Sequence, residues 1–514
     1  MPGRFRTTLG LALSLLVAGC AQRAVRTLSE APPPAPAASI ADPRYLKAHL
    51  ASGDVIVLSD WTSTDGEIRG TGRRLDANRE VVEQGPLRVP VDSVLIFETN
   101  EVRGSPVSRG LAIVTGASAA LTAFCLTNTK ACFGSCPTFY APTGDGEALL
   151  AEGFSSSISP VLEATDVDAL AGAQPSDGRL EVRMTNEALE THVVRHADLL
   201  AVPKGPGGAW QTGDGQFVTG GAPRAPTACT ADDGDCLAAL RAADGHERLT
   251  PADSTDLAAR ETLDLWFDVP PGDRHGLVLT SRQSLLATFL FYQMLAYMGD
   301  DVGQWFAHLE SEVRAAEARG ETLPLGLMDR LGGIEVLVED GDGAWVVAGT
   351  VDEHGPLATD RHLVRLPLLP PGPAHVRLRL ARGAWRLDAA EIVALGAPAE
   401  PVRIRPSLVR RDGAEDGAAL RQLLEPESAL VTLPGDAYTL VYDLPSGTDA
   451  DALFLESRGY YLEWMRDEWL PETDSEAMLR LIADPGGALR QLAPRYKALE
   501  PSMEAAFWNS RYAR

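Results

Sequence analysis

Leu263-Asp264-Leu265-Trp266-Phe267-Asp268-Val269-Pro270-Pro271-Gly272 alternates apolar and polar side chains and then stops at a Pro-x-Gly turn. That is the pattern of a β-strand with one dry face and one wet face. Tyr438-Thr439-Leu440-Val441-Tyr442-Asp443-Leu444-Pro445-Ser446-Gly447 repeats it. The following strands also match, Leu277 to Arg282 against Leu453 to Arg458. Upstream, Leu180 to Met184 parallels Val376 to Leu380, His196 to Val202 parallels Ala389 to Leu395, and Asp233 to Leu240 resembles Glu415 to Leu420. Five blocks in one order indicate a duplicated β-rich unit. Short alternating strands between Gly/Pro turns predict sandwiches.

Working outward, the fold class reads as mainly β with helical segments. Residues 43–104 form a small β-domain, with Asp65-Gly66 as a hairpin turn. Residues 105–130 form an apolar helix, whose run Leu111 to Leu126 is slightly short for a membrane span and reads as buried. The first β-rich unit covers 131–300, a helical connector 301–331, and the second unit 332–470. Leu285 to Met298 reads as a core helix. The tail 471–514 is helical, with Pro494 and Pro501 as interruptions.

The chain has 514 residues and a formal net charge of −25. That length exceeds one core and predicts several domains. The acidic balance, without a Lys/Arg cluster, argues against nucleic acid as a partner. Six cysteines occur. In an oxidising compartment Cys132/Cys136 and Cys229/Cys236 are the short-range disulfide candidates, although other pairings are open, and Cys125 is left as a buried thiol.

At the N-terminus, Arg4 and Arg6, the apolar run Leu9 to Val17 and then Val17-Ala18-Gly19-Cys20 resemble a bacterial lipoprotein signal peptide. The resemblance implies removal of residues 1–19, lipidation of Cys20 and membrane attachment through that lipid. Residues 20–42, rich in Ala and Pro, then read as a tether. Ala21 and Gln22 lack the aspartate of inner-membrane retention, so an outer-membrane location is expected.

Cys132-Phe133-Gly134-Ser135-Cys136 suits a structural disulfide better than a redox pair, since the spacing is not Cys-x-x-Cys. His192 and His196 would share a helix face as metal ligands, but on a strand they stand too far apart. The acidic turns, with Asp232, Asp233 and Asp235 the nearest to a calcium loop, read as hairpin chemistry. Tyr460, Tyr461, Trp464 and Trp469 could stack on sugars, but sealing the contact with the C-terminal helices is the preferred reading. No catalytic residue, metal or cofactor is assigned.

Cys132 to Tyr140, then Ala151-Glu152-Gly153-Phe154-Ser155-Ser156-Ser157-Ile158-Ser159-Pro160 and Leu162 to Asp166, resemble a family of bacterial envelope proteins without an assigned activity. The resemblance continues through Thr185 to Thr191 and Arg458 to Tyr461. It implies one multi-domain architecture and no catalytic residue. The expectation is a lipid-anchored, non-enzymatic envelope protein with a protein or glycan partner. An envelope polysaccharide hydrolase, needing two opposed carboxyl groups, and a thiol-redox lipoprotein are the alternatives.

Overall fold

The computed structural model describes residues 22–29, 45–50, 54–64, 66–75, 81–104, 136–188, 190–306, 319, 327–340, 342–352, 355–369, 372–448, 451–465 and 469–511. The lipobox segment, the apolar run 105–130, Cys125 and Cys132 lie outside them. The protein is mainly β, in antiparallel sheets with few helices and a helical C-terminal segment. It divides into two compact units, 1–119 and 120–514. No helix of the described residues is long and apolar enough to cross a membrane.

The first unit holds one sheet in the order β1 (Gln22–Ser29), β6 (Val94–Gly104), β2 (Leu46–Leu50), β3 (Val55–Thr64), β4 (Glu67–Leu75), β5 (Val81–Pro90). Leu46, Ala48, Ile56, Leu58, Trp61, Ile68, Val89 and Phe97 form its core. The expected hairpin turn is present: Thr64 pairs with Glu67, and Gly66 takes φ +80°. Residues 22–29, assigned by composition to the tether, instead add strand β1 along β6. Their sequence, QRAVRTLS, lacks the prolines that follow it, so nothing prevents a ladder there.

Among the described residues, the second unit contains four sheets. Sheet II runs β25 (Ala414–Glu415), β24 (Leu408–Arg411), β27 (Ala437–Asp443), β10 (Arg179–Thr185), β7 (Thr138–Thr143), β8 (Gly146–Glu152). Sheet III runs β23 (Val402–Ile404), β11 (Glu190–Val202), β28 (Ala452–Glu463), β9 (Ala164–Ala169), with β26 (Leu430–Thr432) also on β11. Sheet IV runs β12 (Gly208–Gln211), β13 (Phe217–Gly220), β22 (Trp385–Ala399), β17 (His275–Gln283), β20 (Asp360–Arg365). Sheet V runs β15 (Gly234–Asp235), β14 (Ala228–Ala231), β16 (Arg260–Asp268), β21 (Pro373–Ala381), β18 (Ile334–Glu339), β19 (Trp345–Val351).

Sheets II and III close on one core, which includes Phe139, Leu180, Val182, Leu199, Leu440 and Leu455. Sheets IV and V close on another, with Leu263, Leu265, Phe267, Leu279, Val376 and Ile392. Each buried aliphatic or aromatic side chain of this kind contributes roughly 1.5–3 kcal/mol.

The duplication is real, and its halves are exchanged. Replacing each strand of sheet II by its repeat, β25 by β15, β24 by β14, β27 by β16, β10 by β21, β7 by β18 and β8 by β19, gives the order of sheet V. Sandwich one (sheets II and III) therefore joins the N-terminal half of the first copy to the C-terminal half of the second. Sandwich two (sheets IV and V) holds the complementary halves. The spans 131–300 and 332–470 are repeats, but neither is a sandwich by itself. Both copies carry the same alternation, so pairing within or between copies satisfies it equally, and the pattern cannot choose.

The repeats also carry different fastenings at one joint. Cys236 N donates to Cys229 O at 3.2 Å, and Asp416 N donates to Val409 O at 2.8 Å. The first copy adds the expected Cys229–Cys236 disulfide there, across 5.1 Å between Cα atoms, before the short helix α1 (Leu237–Leu240). The second uses Asp416 as N-cap of α4 (Gly417–Leu424), its carboxylate accepting from Ala418 N and Ala419 N.

The predicted core helix is α2 (Leu285–Met298), capped by Ser284 and apolar on all sides. Of the predicted connector, α3 (Leu327–Leu331) is described. The tail forms α5 (Ser475–Ala483) and α6 (Pro485–Arg511). Contrary to the sequence reading, α6 runs through Pro494 and Pro501. Its buried side chains Leu489, Leu492, Ala493 and Tyr496 pack into the core of sandwich two. That burial outweighs the backbone bonds the prolines remove.

Candidate functional site

A group of buried ionisable side chains lies where β8 and β9 of sandwich one meet the segment 355–360 of sandwich two. Glu152 ends β8 opposite Thr138. Its Oε2 accepts from Leu357 N at 2.6 Å and Ala358 N at 3.1 Å. Its Oε1 accepts from Cys136 Sγ at 2.9 Å. The receiving segment is held from behind: Arg282 Nη1 donates to Pro356 O at 2.6 Å, and Gln283 N to Gly355 O at 3.3 Å. Arg282 is fully buried and forms a two-point pair with Glu247 at 2.6 and 2.7 Å.

Three aspartates extend the group. Asp166 accepts from Phe154 N at 3.1 Å and Val167 N at 2.9 Å. Asp360 accepts from Ala169 N at 3.2 Å and Arg361 N at 2.7 Å, so it too bridges the sandwiches. Asp168 is buried, and its Oδ2 has no hydrogen-bond partner among the described residues.

Burial dominates their chemistry. It raises Glu152 to about 7 against the opposing bonds from Cys136, Leu357 and Ala358. Burial and the nearby Asp360 raise Asp166 to about 6. Burial, Asp166 and Asp360 push Asp168 well above the carboxylate range. The Cys136 thiol is also driven up, first by burial and then by Glu152. A thiol so placed is a poor nucleophile. Of the predicted Cys132–Cys136 pair, Cys132 lies outside the described residues, and Cys136 is a free, buried thiol bonded to Glu152. Its backbone, at φ +86°, directs Sγ to that carboxyl and N to Glu190 Oε2 at 2.9 Å.

His192 and His196 lie on one strand, as expected, and a β-bulge falls between Val194 and His196. Val194 and Ala197 both face the core, so the bulge reverses the alternation. His192, buried, contacts Glu190 at 3.0 Å, and burial lowers its pKa to about 3. His196 turns to the other face and meets Glu456 at 3.1 Å.

Potential ligand atoms of His196, Asp198 and Glu456 lie within 4.8 Å of one another. Arg403 supplies the positive charge there, bonding Asp198 at 2.9 Å and Glu456 at 2.7 Å. Bonds from His196 and Arg403 hold Glu456 down at about 2.

The Asp232–Asp235 turn is the β14–β15 hairpin, with Asp233 on Arg248 at 2.7 Å and Asp235 accepting from Leu237 N at 2.8 Å. Tyr460, Tyr461, Trp464 and Trp469 are all buried. Trp469 seals α2 against α5, whereas Tyr461 belongs to the core of sandwich one and Trp464 donates to Thr191 at 2.9 Å.

One surface was not singled out from the sequence. On the outer face of sheet V, Trp266 stacks on His375 at 4.5 Å, and Trp345 meets the same ring edge-on at 4.8 Å. Arg377 lies 4.0 Å over Trp345 and bonds Asp264 at 2.9 and 3.2 Å. His375 reaches Asp264 at 2.8 Å. Strand register puts Thr439, Val441, Glu181 and Arg183 at the corresponding positions of sheet II. There Arg183 pairs with Glu147 and lies 4.4 Å over the ring of Tyr140 instead of a tryptophan. The signal available in the sequence was Trp266, which the opening stretch aligns with Val441.

No protein-family model matches the chain, and no curated protein matches it. Among solved structures it is similar to BpGH86A, a beta-porphyranase of glycoside hydrolase family 86 from the human gut bacterium Bacteroides plebeius, at 7% identity and a TM-score of 0.15. The match covers 43% of this chain and spans about a third of that one, 35%. A TM-score of 0.15 is far below that of a shared fold, so this likeness bears on neither architecture nor activity.

Proposed function

We propose that the protein is a lipid-anchored component of a bacterial cell envelope whose β-body binds or assembles with another envelope component. The anchor rests on the lipobox resemblance at Val17 to Cys20. The binding role rests on the outer face of sheet V. Two copies of one fold keep the same buried pattern, yet one outer face carries Trp266, His375, Trp345 and Arg377 where the other carries Arg183 between Glu147 and the single ring of Tyr140. The fold does not need that aromatic group, and tryptophan and arginine are the side chains that dominate recognition surfaces. Envelope glycan is the partner chemistry it suits best, because aromatic faces flanked by His, Arg and Asp offer both stacking and hydrogen bonds.

The test uses full-length protein in detergent, mixed with purified envelope glycan and sedimented. The wild type should co-sediment, and Trp266→Ala with Trp345→Ala should lose at least tenfold in retention. Equal retention of the variants removes this face from the proposal. Release of new reducing ends during incubation would instead favour the polysaccharide hydrolase. In cells, labelled palmitate should enter the native chain and not Cys20→Ser.

A further inference from the structure

We propose that His196, Asp198 and Glu456 form a site for a divalent metal ion of the zinc class, and that Arg403 is the side chain the ion displaces. The strands bring these groups together. Ala197 and Leu199 enter the core of sandwich one, so His196 and Asp198 stand two residues apart on the outer face of sheet III. Register sets Glu456 of β28 opposite Asp198 on one side, and Arg403 of β23 opposite Leu200 on the other. Leu200 and Phe454, on the same face, pack with Ala209 and Phe217 of sandwich two. The Asp198 side of the group is thereby closed, and its Arg403 side stays open.

Three observations mark a cation position. The Asp198 side chain is only 3% exposed, and while Oδ2 accepts from Arg403, Oδ1 is buried with no hydrogen-bond partner among the described residues. A buried carboxylate oxygen left so is costly, and a metal bond satisfies it. His196 Nε2 lies 3.1 Å from Glu456 Oε1. Donors bound to one zinc ion at about 2.0–2.2 Å stand roughly 3.0–3.4 Å apart, so that pair already has the spacing. Arg403 Nη1 bonds both Asp198 Oδ2 and that same Glu456 Oε1, which puts a positive charge against the group.

The donor set selects the ion. One imidazole nitrogen with two carboxylate oxygens suits zinc and its neighbours, whereas calcium and magnesium take oxygen alone. Two carboxylates balance a divalent ion, and three protein donors leave a position for water. The guanidinium and the ion repel, so one excludes the other. The Arg403 side chain is 45% exposed on a three-residue edge strand, and it can turn into water without disturbing the sheet. Arg458, the cation opposite His196, bonds Glu163 at 2.8 Å instead.

The measurement is calorimetric titration of zinc chloride into full-length protein in detergent, freed of metal by chelator beforehand. The expected result is one ion bound by the native protein, binding lost in His196→Ala, and binding about tenfold tighter in Arg403→Ala, where the competing ion pair is gone. A purely structural ion pair predicts no uptake in the native protein or in Arg403→Ala, and that result overturns the proposal. Uptake that survives His196→Ala, as zinc on a cysteine would, also overturns it, and so does an affinity that Arg403→Ala leaves unchanged. Should His196→Ala fail to fold, Arg403→Ala still locates the ion. The outcome does not depend on what sheet V binds.

Discussion

Glu152 and Gly355 occupy one another's space: the carboxyl group of the first fills the volume a Cβ of the second would need. Gly355→Ala should therefore displace the carboxyl and its two backbone bonds, destabilising the protein by about 1–3 kcal/mol. Adding Glu152→Ala should return part of that loss, because the obstacle is then gone. Chemical denaturation of the four-member cycle measures the coupling, and strictly additive effects would contradict the contact.

The thermal midpoint should depend on pH from both sides. Glu152 and Asp166 are raised, to about 7 and about 6, so the stability they allow is present in acid and lost as pH rises toward 7. Glu456 is lowered to about 2, so its contribution is present above pH 4.5 and lost as pH falls through 2. A maximum near pH 4–5 is expected from these groups. Glu456→Gln should flatten the acid limb alone.

Only one copy carries a disulfide at the hairpin-to-helix joint. Opening Cys229–Cys236, a closure over 7 positions, should cost about 2.5 kcal/mol by the loop-entropy relation. Scanning calorimetry of Cys229→Ser/Cys236→Ser against the native protein reads this as a lowered midpoint. An unchanged midpoint would show that the joint holds by its backbone bond and packing, as at Asp416.

Cutting the chain between the repeats should not separate them. A protease site placed within 307–318 divides the two copies, yet β10 remains paired with β27 and β16 with β21. After cleavage, both fragments are expected to co-elute on size exclusion under native conditions. Two independently eluting, folded fragments would falsify the exchange of halves.

Much of this was legible because burial imposes period two on strands. Leu263, Leu265 and Phe267 announce β16, and their matches at Tyr438, Leu440 and Tyr442 announce β27. The same period hides a slip of two. Val182 stands opposite Leu440 and Val376 opposite Leu265, so Leu180–Met184 corresponds to residues 374–378, not to 376–380 as matched from sequence. A two-residue shift leaves every side chain on its own face, and the pattern cannot detect it.

The candidate sites were less legible for a related reason. Glu152 and Leu357 lie 205 positions apart, and no local pattern connects a strand-end glutamate to a glycine-led loop. Cys136 was read by its distance along the chain from Cys132, whereas its structural partner is a carboxyl group on the neighbouring strand. The exchange of halves was invisible because both pairings bury the same faces.

That exchange sets a timetable for synthesis. Arg179 on β10 meets Asp443 on β27 across 264 positions. At roughly 5–20 residues per second, the open edge of β10 must wait on the order of ten seconds to a minute for its neighbour. Sandwich one cannot close until nearly the whole chain has emerged, and a truncated product exposes an unpaired, apolar sheet edge. Completion of the polypeptide is thus a condition of its solubility, and holding the waiting strands apart from other chains becomes a task for the cell.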